Sequence, residues 1–318
     1  MMRGCFLDAG SMGDALDWTA LTDTLDDWTW HHNTEPAEVG ERLRGVDVAV
    51  TNKVVLDAGT IAAADALKLI CVAATGVNNV DLQAAADHGI PVLNVSGYGT
   101  PAVSQHVLAL MLGHATRWAA YDAAVKRGAW AQSEFFCFLD YPIEELDGQT
   151  LGIVGHGELG GAVARLAEAF GMTVLVSERP GADDVRPGRV AFDDVLTRAD
   201  FISLHCPLTP ETEHLIDAAA LARMKSNAFL INTARGGIVD ASALIAALRE
   251  GRIAGAALDV LDQEPPPADH PLLDPSIPNL VVTPHSAWAS RGARQRLLNQ
   301  IAANVRAFRA GDTDHRVN

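Results

Sequence analysis

Cysteine is scarce in this sequence, and long apolar runs are absent from it. The four cysteines are scattered without a C-x-x-C pair, so neither a zinc site nor a disulfide framework is indicated. Unpaired cysteines fit a reducing compartment, and the first residues lack the apolar region of a signal peptide. No apolar run approaches the length that spans a bilayer. We therefore expect a cytoplasmic protein with no membrane partner and no metal.

Positive charge is also in short supply. Lys and Arg number 24 against 40 Asp and Glu, which gives a net charge of −16. Such a field attracts neither nucleic acid nor an anionic membrane, so we expect no nucleic-acid partner. An anionic substrate needs a local positive site. With 48% hydrophobic and 20% charged residues among 318, the chain is long enough for two folded domains.

Residues 150–161 have the pattern of a buried strand, a tight turn and a helix start. Three glycines with G-x-G-x-x-G spacing follow the apolar strand. Gly155 allows the sharp turn, Gly157 lets a pyrophosphate approach the backbone, and Gly160 lets the helix pack close to its strand. The anion then lies at the helix N-terminus. This segment predicts a dinucleotide site.

Glu178 ends the next apolar strand, near the position at which a dinucleotide fold places an acidic residue. Its carboxylate would accept hydrogen bonds from the adenosine ribose hydroxyls and would repel the additional phosphate of NADP. NAD is therefore the favoured cofactor. Arg179 is an alternative ligand for that phosphate, which leaves NADP open, and Glu178 as an ordinary solvated acid is the other interpretation.

Strands and helices alternate along the chain, which is typical of parallel α/β sheets. We predict two Rossmann-like doubly wound domains, with a dinucleotide-binding domain inserted in a flavodoxin-like substrate-binding domain. The substrate-binding domain comprises residues 1–96 and 288–318, and the dinucleotide-binding domain comprises 97–287. A long helix over 100–127 connects them, and an amphipathic helix over 291–310 returns to the first domain.

Three polar residues follow neighbouring strands of the second domain. Arg235, Glu264 and His285 come after apolar segments that end near residues 233, 261 and 283. Ligands of open α/β sheets bind outside the carboxyl ends of the strands, so three such residues together are informative. A surface arginine, a solvated loop acid and a turn histidine are the alternative interpretations.

The chemistry of these three residues suits reduction of a 2-oxo acid by a nicotinamide. That reaction needs a cation for the carboxylate, an acid for the carbonyl oxygen and a group that keeps the acid charged. Arg235 offers a planar fork for a carboxylate. His285 can give a proton in reduction and take it back in oxidation, and Glu264 can hold its ring.

The sequence resembles the D-isomer-specific 2-hydroxyacid dehydrogenases along nearly its whole length, most closely the bacterial glycerate dehydrogenase (hydroxypyruvate reductase) branch. Beside the three residues above, the resemblance is carried by the motifs ATGVNNVD at 74–81, GYGTPAVSQH at 97–106, the glycine turn at 155–160, HCPLT at 205–209, NTARGG at 232–237, ALDV at 257–260 and PHSAW at 284–288.

The resemblance implies a site made of residues from both domains. Arg235, Glu264 and His285 would be catalytic, and Asp259 would hold the nicotinamide carboxamide. The implied cofactor residues are Gly155, Gly157, Glu158, Leu159, Gly160, Glu178, Arg179, Cys206, Pro207, Thr212, Thr233, Ala234, Asp259 and Ala287. The implied substrate residues are Asn52, Lys53, Thr75, Gly76 and Val77 with Arg235 and His285, and Lys53 as a plain surface lysine stays an equal alternative.

The resemblance also implies what the protein acts on and pairs with. We expect hydroxypyruvate and D-glycerate as the small-molecule pair, with glyoxylate or another short 2-oxo acid as the alternative. Family members are usually homodimers that pair through the connector region. His156 within the glycine turn departs from the usual residue of the branch. A non-enzymatic, NAD-sensing corepressor-like protein is the rival from another class, although the chain has no long extension for it.

Overall fold

The computed structural model describes residues 1–182 and 184–318 and divides the chain into two units. Unit 1 comprises Met1–Gly99 and Ala289–Asn318, and unit 2 comprises Thr100–Trp288. Unit 2 is therefore inserted between the two segments of unit 1. The roles predicted for the two domains, substrate binding for one and dinucleotide binding for the other, stay predictions at this level.

The first segment of unit 1 alternates short strands and helices. In chain order these are β1 (Arg3–Phe6), α1 (Thr19–Thr22), β2 (Asp27–Trp30), α2 (Val39–Arg42), β3 (Val48–Thr51), α3 (Ala58–Ala63), β4 (Leu69–Val72), α4 (Leu82–Asp87) and β5 (Val92–Leu93). The strands form one parallel sheet in the order β2-β1-β3-β4-β5. This is the flavodoxin-like order, so the fold class expected for this unit is confirmed.

Unit 2 continues the alternation with longer helices. Its elements are α5 (Thr100–Thr116), α6 (Trp118–Lys126), β6 (Thr150–Val154), α7 (Glu158–Ala169), β7 (Thr173–Val176), α8 (Phe192–Arg198), β8 (Phe201–Leu204), α9 (Ala218–Arg223), β9 (Phe229–Asn232), α10 (Ala241–Arg249), β10 (Gly255–Leu258) and β11 (Leu280–Val282). The six strands form a parallel sheet in the order β11-β10-β9-β8-β6-β7. The predicted doubly wound sheet is confirmed.

The strands of unit 2 are apolar because helices cover both faces of the sheet. β8, β9 and β10 are buried at every position. Leu221 of α9 and Leu248 of α10 pack with Leu230 on one face. Met111 of α5 and Val163 of α7 belong to the core on the other face. This two-sided packing fixes the carboxyl ends of the strands, where the predicted site residues lie.

The last helix, α11 (Arg291–Arg309), completes unit 1. Its apolar positions Leu297, Ile301 and Val305 recur every four residues and are fully buried. On its flank, Gln300 donates a hydrogen bond to the carbonyl of Ser96 at 3.0 Å. The helix predicted over 291–310 is confirmed, and it belongs to the same unit as the first residues of the chain.

Some elements differ from the sequence prediction. The single helix expected over 100–127 is two helices, because Arg117 between them has a left-handed conformation with φ of 54°. β2 is not predicted, since Asp27–Trp30 contains no apolar run and lies at a sheet edge. The short helices α1, α3 and α8 lack a periodic signal long enough to detect. Among the described helices, none is both long and apolar enough to cross a membrane.

Candidate active site

The glycine-rich turn of unit 2 joins β6 to α7. Gly155 has φ of 96°, a conformation that glycine adopts readily, and a Cβ on it would lie 2.5 Å from the backbone nitrogen of Cys206. A Cβ on Gly160 would lie 2.1 Å from the carbonyl oxygen of Gly155. A Cβ on Gly157 would have no described atom within 4 Å. Packing therefore requires the outer two glycines, whereas the middle one faces open space.

The surroundings of Gly157 fit a dinucleotide. α7 begins directly after it, and Gly157 supplies no side chain to cap the first N–H groups of that helix. The turn follows β6, which has β7 on one side and β8 on the other, so it lies at the point where the strand order reverses. The hydroxyl of Thr233, beyond β9, is buried and has no hydrogen-bond partner among the described residues.

Glu178 follows β7, and only 4% of its surface is exposed. Its carboxylate accepts hydrogen bonds from Nε of Arg186 at 2.7 Å and from the backbone N–H of Arg179 at 2.8 Å. Nη2 of Arg186 also donates to it, and Nε of Arg189 lies 3.9 Å away. The hydrogen bonds from Arg186 hold the pKa of Glu178 well below its ordinary range. The acid expected to bind ribose is thus paired with an arginine.

The loop after β8 lies against the glycine-rich turn through the backbone of Cys206. Thr212 fixes this loop, because its hydroxyl donates to the carbonyl of Pro207 at 2.7 Å and accepts from the N–H of Thr209 at 2.8 Å. Burial lowers the pKa of His205 to about 4 and raises the pKa of the Cys206 thiol. Both side chains are therefore neutral at pH 7.

Arg235 lies beyond the end of β9, and its side chain is exposed. Asn232 fixes the backbone there, since its Nδ2 donates to the carbonyl of Arg235 at 2.8 Å and its Oδ1 accepts from the N–H of Ala234 at 3.0 Å. A Cβ on Gly236 would lie 2.0 Å from the carbonyl carbon of Leu261. The loop that carries the arginine therefore packs directly on the chain that follows β10.

Glu264 and His285 lie together. Oε2 of Glu264 is 2.6 Å from Nδ1 of His285, and Oε1 accepts a hydrogen bond from the N–H of Leu261 at 2.8 Å. An ionised carboxylate only accepts, so Nδ1 of the histidine carries a hydrogen. Nε2 is then the ring nitrogen that can exchange a proton with a ligand. The side chains of His285 and Glu264 are 30% and 33% exposed, so a ligand can reach them.

Asp259 follows β10 and is 1% exposed. Its Oδ1 accepts from the N–H of Ser286 at 2.9 Å and from the hydroxyl of Thr283 at 2.5 Å, and its Oδ2 accepts from the N–H of Ala287 at 2.9 Å. His285, between these donors, has φ of 50°, which is uncommon for a residue with a side chain. The aspartate that the resemblance assigns to the nicotinamide thus also holds the turn of the histidine.

Unit 1 has its predicted substrate residues in two loops. Asn52 and Lys53 follow β3, and their backbone N–H groups donate to the carboxylate of Asp8 at 2.8 and 2.6 Å. Asp8 follows β1 and is buried, and sequence reasoning missed it because a lone acid near the start of the chain has no motif. Residues 75–77 follow β4. Both loops lie at the carboxyl ends of adjacent parallel strands.

Unit 2 therefore has Arg235, Glu264 and His285 in the loops after three adjacent strands, β9, β10 and β11. Sequence reasoning missed Arg186 as the partner of Glu178, although several arginines follow that acid in the chain.

Within residues 1–182 and 184–318, no group of three or more His, Cys, Asp or Glu side chains is arranged to hold a metal ion.

Comparison with known proteins gives consistent matches. The family model described as D-isomer specific 2-hydroxyacid dehydrogenase, NAD binding domain, matches residues 108–287. Glycerate dehydrogenase of Methylorubrum extorquens is 46% identical over 305 residues, which cover 93% of this chain and 95% of that protein. Hydroxypyruvate reductase of Blautia hydrogenotrophica is 35% identical over 95% of both chains. A solved structure from Thermus thermophilus is similar over both whole chains, with a TM-score of 0.87 and 35% identity.

Proposed function

Because this chain belongs to the D-isomer-specific 2-hydroxyacid dehydrogenase family, as its motifs predict, we propose that it interconverts hydroxypyruvate and D-glycerate. It is an NAD-dependent oxidoreductase of 2-hydroxy acids, so the expected reaction class and cofactor are confirmed. The 2.6 Å contact between Glu264 and His285 carries the proposal, because a carboxylate-held imidazole can exchange a proton with substrate oxygen. The names of the two curated relatives support the choice of acid.

His285 is the proposed proton donor. When NADH is bound, its nicotinamide supplies the hydride to the carbonyl carbon of the 2-oxo acid. Nε2 of protonated His285 gives its proton to the carbonyl oxygen, which becomes the hydroxyl of the product. In the reverse direction Nε2 removes the hydroxyl proton. Glu264 accepts the hydrogen bond from Nδ1 of the ring. This contact fixes the orientation of the imidazole, so that Nε2 lies on the side of the ring away from Glu264.

Arg235 is the proposed ligand of the substrate carboxylate. Its exposed guanidinium offers two parallel N–H donors, and a chain with a net charge of −16 needs such a local cation to attract an anion. In unit 1, the backbone N–H groups of residues 75–77 are a second proposed element for the carboxylate. Asn52 and Lys53 are proposed contacts for the rest of the substrate.

The glycine-rich turn and the first turn of α7 are the proposed pyrophosphate site. The other cofactor residues that the resemblance implies are proposed to bind the rest of the dinucleotide. The open space at Gly157 supports this assignment, because a ligand there meets no Cβ. Glu178 is the proposed ligand of the adenosine ribose. Because Glu178 is hydrogen-bonded to Arg186, we propose that the arginine also lies beside the ribose hydroxyls.

We further propose that the protein is a cytoplasmic homodimer. Apolar side chains are exposed throughout the segment 118–143, and that of Phe136 is 90% exposed. Several large apolar side chains exposed in one segment are typical of an interface. The others in this segment are Trp118, Val125, Trp130, Phe135, Leu139 and Ile143. The four unpaired cysteines support the proposed compartment.

A steady-state assay tests the substrate. NADH or NADPH oxidation is followed by absorbance with hydroxypyruvate, glyoxylate, pyruvate and phosphohydroxypyruvate in turn. We expect the highest kcat/KM with hydroxypyruvate and NADH. A higher value with glyoxylate would move the assignment to that acid, and no turnover of any of the four would contradict the proposal and favour the corepressor-like alternative.

The variant His285→Gln tests the proton donor. We expect turnover to fall by about 10³-fold or more, since general acid catalysis typically contributes about 10²- to 10⁴-fold. NADH affinity, measured by nucleotide fluorescence, should remain close to that of the wild type. His32→Gln is a matched control, because that histidine is exposed and lies in unit 1. Retained activity in His285→Gln would rule out the assignment.

A further inference from the structure

We propose that His106, a residue of α5, is a positioning residue for His285. The inference rests on the proposed function, because it concerns the geometry of the histidine that exchanges the proton. His106 acts through Thr283, whose hydroxyl links it to Asp259. All four residues belong to unit 2.

The direction of the hydrogen bonds can be worked out from the hydroxyl of Thr283. Its oxygen lies 2.5 Å from Oδ1 of Asp259 and 3.3 Å from Nε2 of His106. The carboxylate only accepts, so the single hydroxyl hydrogen of Thr283 points to Asp259. The hydroxyl oxygen is then the acceptor for His106, and Nε2 of that ring carries a hydrogen. Donation therefore runs from His106 to Thr283 to Asp259.

This series of hydrogen bonds ends on the turn that carries His285. Asp259 accepts from the N–H groups of Ser286 and Ala287, after the histidine, at 2.9 Å each, and from the hydroxyl of Thr283, before it, so its donors lie on both sides of the histidine. A left-handed residue with a side chain persists only where its surroundings fix it. The Thr283 hydroxyl is one of three donors that orient the carboxylate, and His106 fixes that hydroxyl.

α5 is a firm support for His106. Val107 and Met111, on the same helix, are fully buried in the core of unit 2. The ring of His106 is 23% exposed, and its Nε2 also lies 3.8 Å from Oδ1 of Asp259. Since Thr283 directly follows β11, His106 connects a packed helix to the loop after the edge strand. Without this connection, the loop loses its contact with α5 and keeps the backbone hydrogen bonds to Leu258 and Asp259.

Two substitutions of His106 distinguish the effect of its N–H donor from the effect of its planar ring. His106→Phe keeps a planar ring and removes the N–H, whereas His106→Gln keeps an N–H donor near the position of Nε2. We expect His106→Phe to lower kcat about tenfold, because a misplacement of roughly 1 Å can cost up to about 10²-fold. Thermal stability should stay near the wild-type value. His106→Gln should retain most of kcat.

A double-mutant cycle tests the route through Thr283. Thr283→Val removes the hydroxyl, and Thr283→Ser keeps it. Because His106 acts through that hydroxyl, the kcat losses of His106→Phe and Thr283→Val should not add in the double variant. Thr283→Ser should restore most of the rate. Additive losses would contradict the proposed route.

Other results would also overturn the proposal. Wild-type kcat in His106→Phe would remove the positioning role. Parallel loss of kcat, NADH affinity and thermal stability would indicate a purely structural residue. If the wild type reduces none of the tested acids, the proposed function fails. The positioning of His285 is then tested by the rate at which diethyl pyrocarbonate modifies this histidine, and peptide mapping measures that rate. That rate should rise in His106→Phe, and an unchanged rate would overturn the inference.

Discussion

Both carboxylate oxygens of Glu178 accept hydrogen bonds from the side chain of Arg186. Glu178, the acid proposed to select against the additional phosphate of NADP, therefore lies next to a cation that could bind that phosphate. Neutralising the acid should leave the cation in place and remove the repulsion. We therefore expect these two residues together to determine the preference between NAD and NADP.

We expect Glu178→Gln to raise the ratio of kcat/KM for NADPH over NADH by roughly tenfold, the equivalent of about 1.4 kcal/mol. Arg186→Gln should act in the opposite direction, because it removes the group that can bind the additional phosphate. The measurement is steady-state kinetics with both cofactors at saturating 2-oxo acid. Glu250→Gln, which alters an exposed pair with Arg252, is the control. Equal ratios in all variants would contradict this account.

The three glycines of the turn should respond differently to alanine. Gly160→Ala should destabilise the protein, since its Cβ would lie 2.1 Å from a backbone oxygen. Gly157→Ala should fold normally, because no described atom lies within 4 Å of the new Cβ. It should bind NADH more weakly, because that Cβ would stand in the proposed pyrophosphate site. Thermal unfolding and NADH titration distinguish the two effects. Gly40→Ala, in α2 and also without close neighbours, should weaken neither folding nor NADH binding.

His114 should make stability depend on pH. Its ring stacks on Phe229 at 4.0 Å, and burial lowers its pKa from 6.5 to about 4. Between these values the unfolded chain binds a proton that the folded chain does not. The free energy of unfolding should therefore fall as the pH decreases from 6.5 to about 4, by up to about 1.4 kcal/mol per pH unit for each such histidine. Above 6.5 this contribution is fully present.

Urea denaturation at several pH values tests this expectation. His205 has the same shift and contributes in the same direction. His114→Phe keeps an aromatic ring against Phe229 and removes one titrating group, so the slope should decrease without disappearing. His315→Gln, at an exposed position, should leave the slope unchanged. An identical slope in His114→Phe and the wild type would count against the burial of this histidine.

The exposed segment 118–143 should hold two copies of the chain together. Phe135 and Phe136 are 73% and 90% exposed, and we expect the double substitution to serine to convert a dimer to a monomer. Light scattering after size exclusion gives the mass. Val55→Ser changes an apolar residue of unit 1 that is 62% exposed, and this variant should remain dimeric. A monomeric wild type would contradict the proposed homodimer.

The sequence predicts most of what is local and periodic. The doubly wound sheets follow from the alternation of apolar strands and helices. The places of Arg235, Glu264 and His285 follow because carboxyl ends of parallel strands share one edge. These features depend on residue types at short, regular spacing.

What the sequence does not predict depends on contacts across loops. Arg186 reaches Glu178 over a loop with no periodic pattern, so neither residue identifies the other. Arg117 breaks the connector helix in a left-handed conformation that glycine or asparagine usually marks in a sequence. Asp259 accepts hydrogen bonds from Thr283, before His285, and from Ser286 and Ala287, after it. These contacts form only in the folded turn, so the sequence does not reveal them.

The insertion of unit 2 within unit 1 has a consequence for synthesis on the ribosome. The five-stranded sheet of unit 1 precedes unit 2 in the chain, but α11, which buries Leu297 and Ile301, is made only after unit 2. Translation of Thr100–Trp288 takes roughly 10 to 40 s at about 5 to 20 residues per second. During that interval the nascent first segment lacks the helix that covers it, so the apolar surface that α11 buries stays exposed until Leu297 and Ile301 have been made.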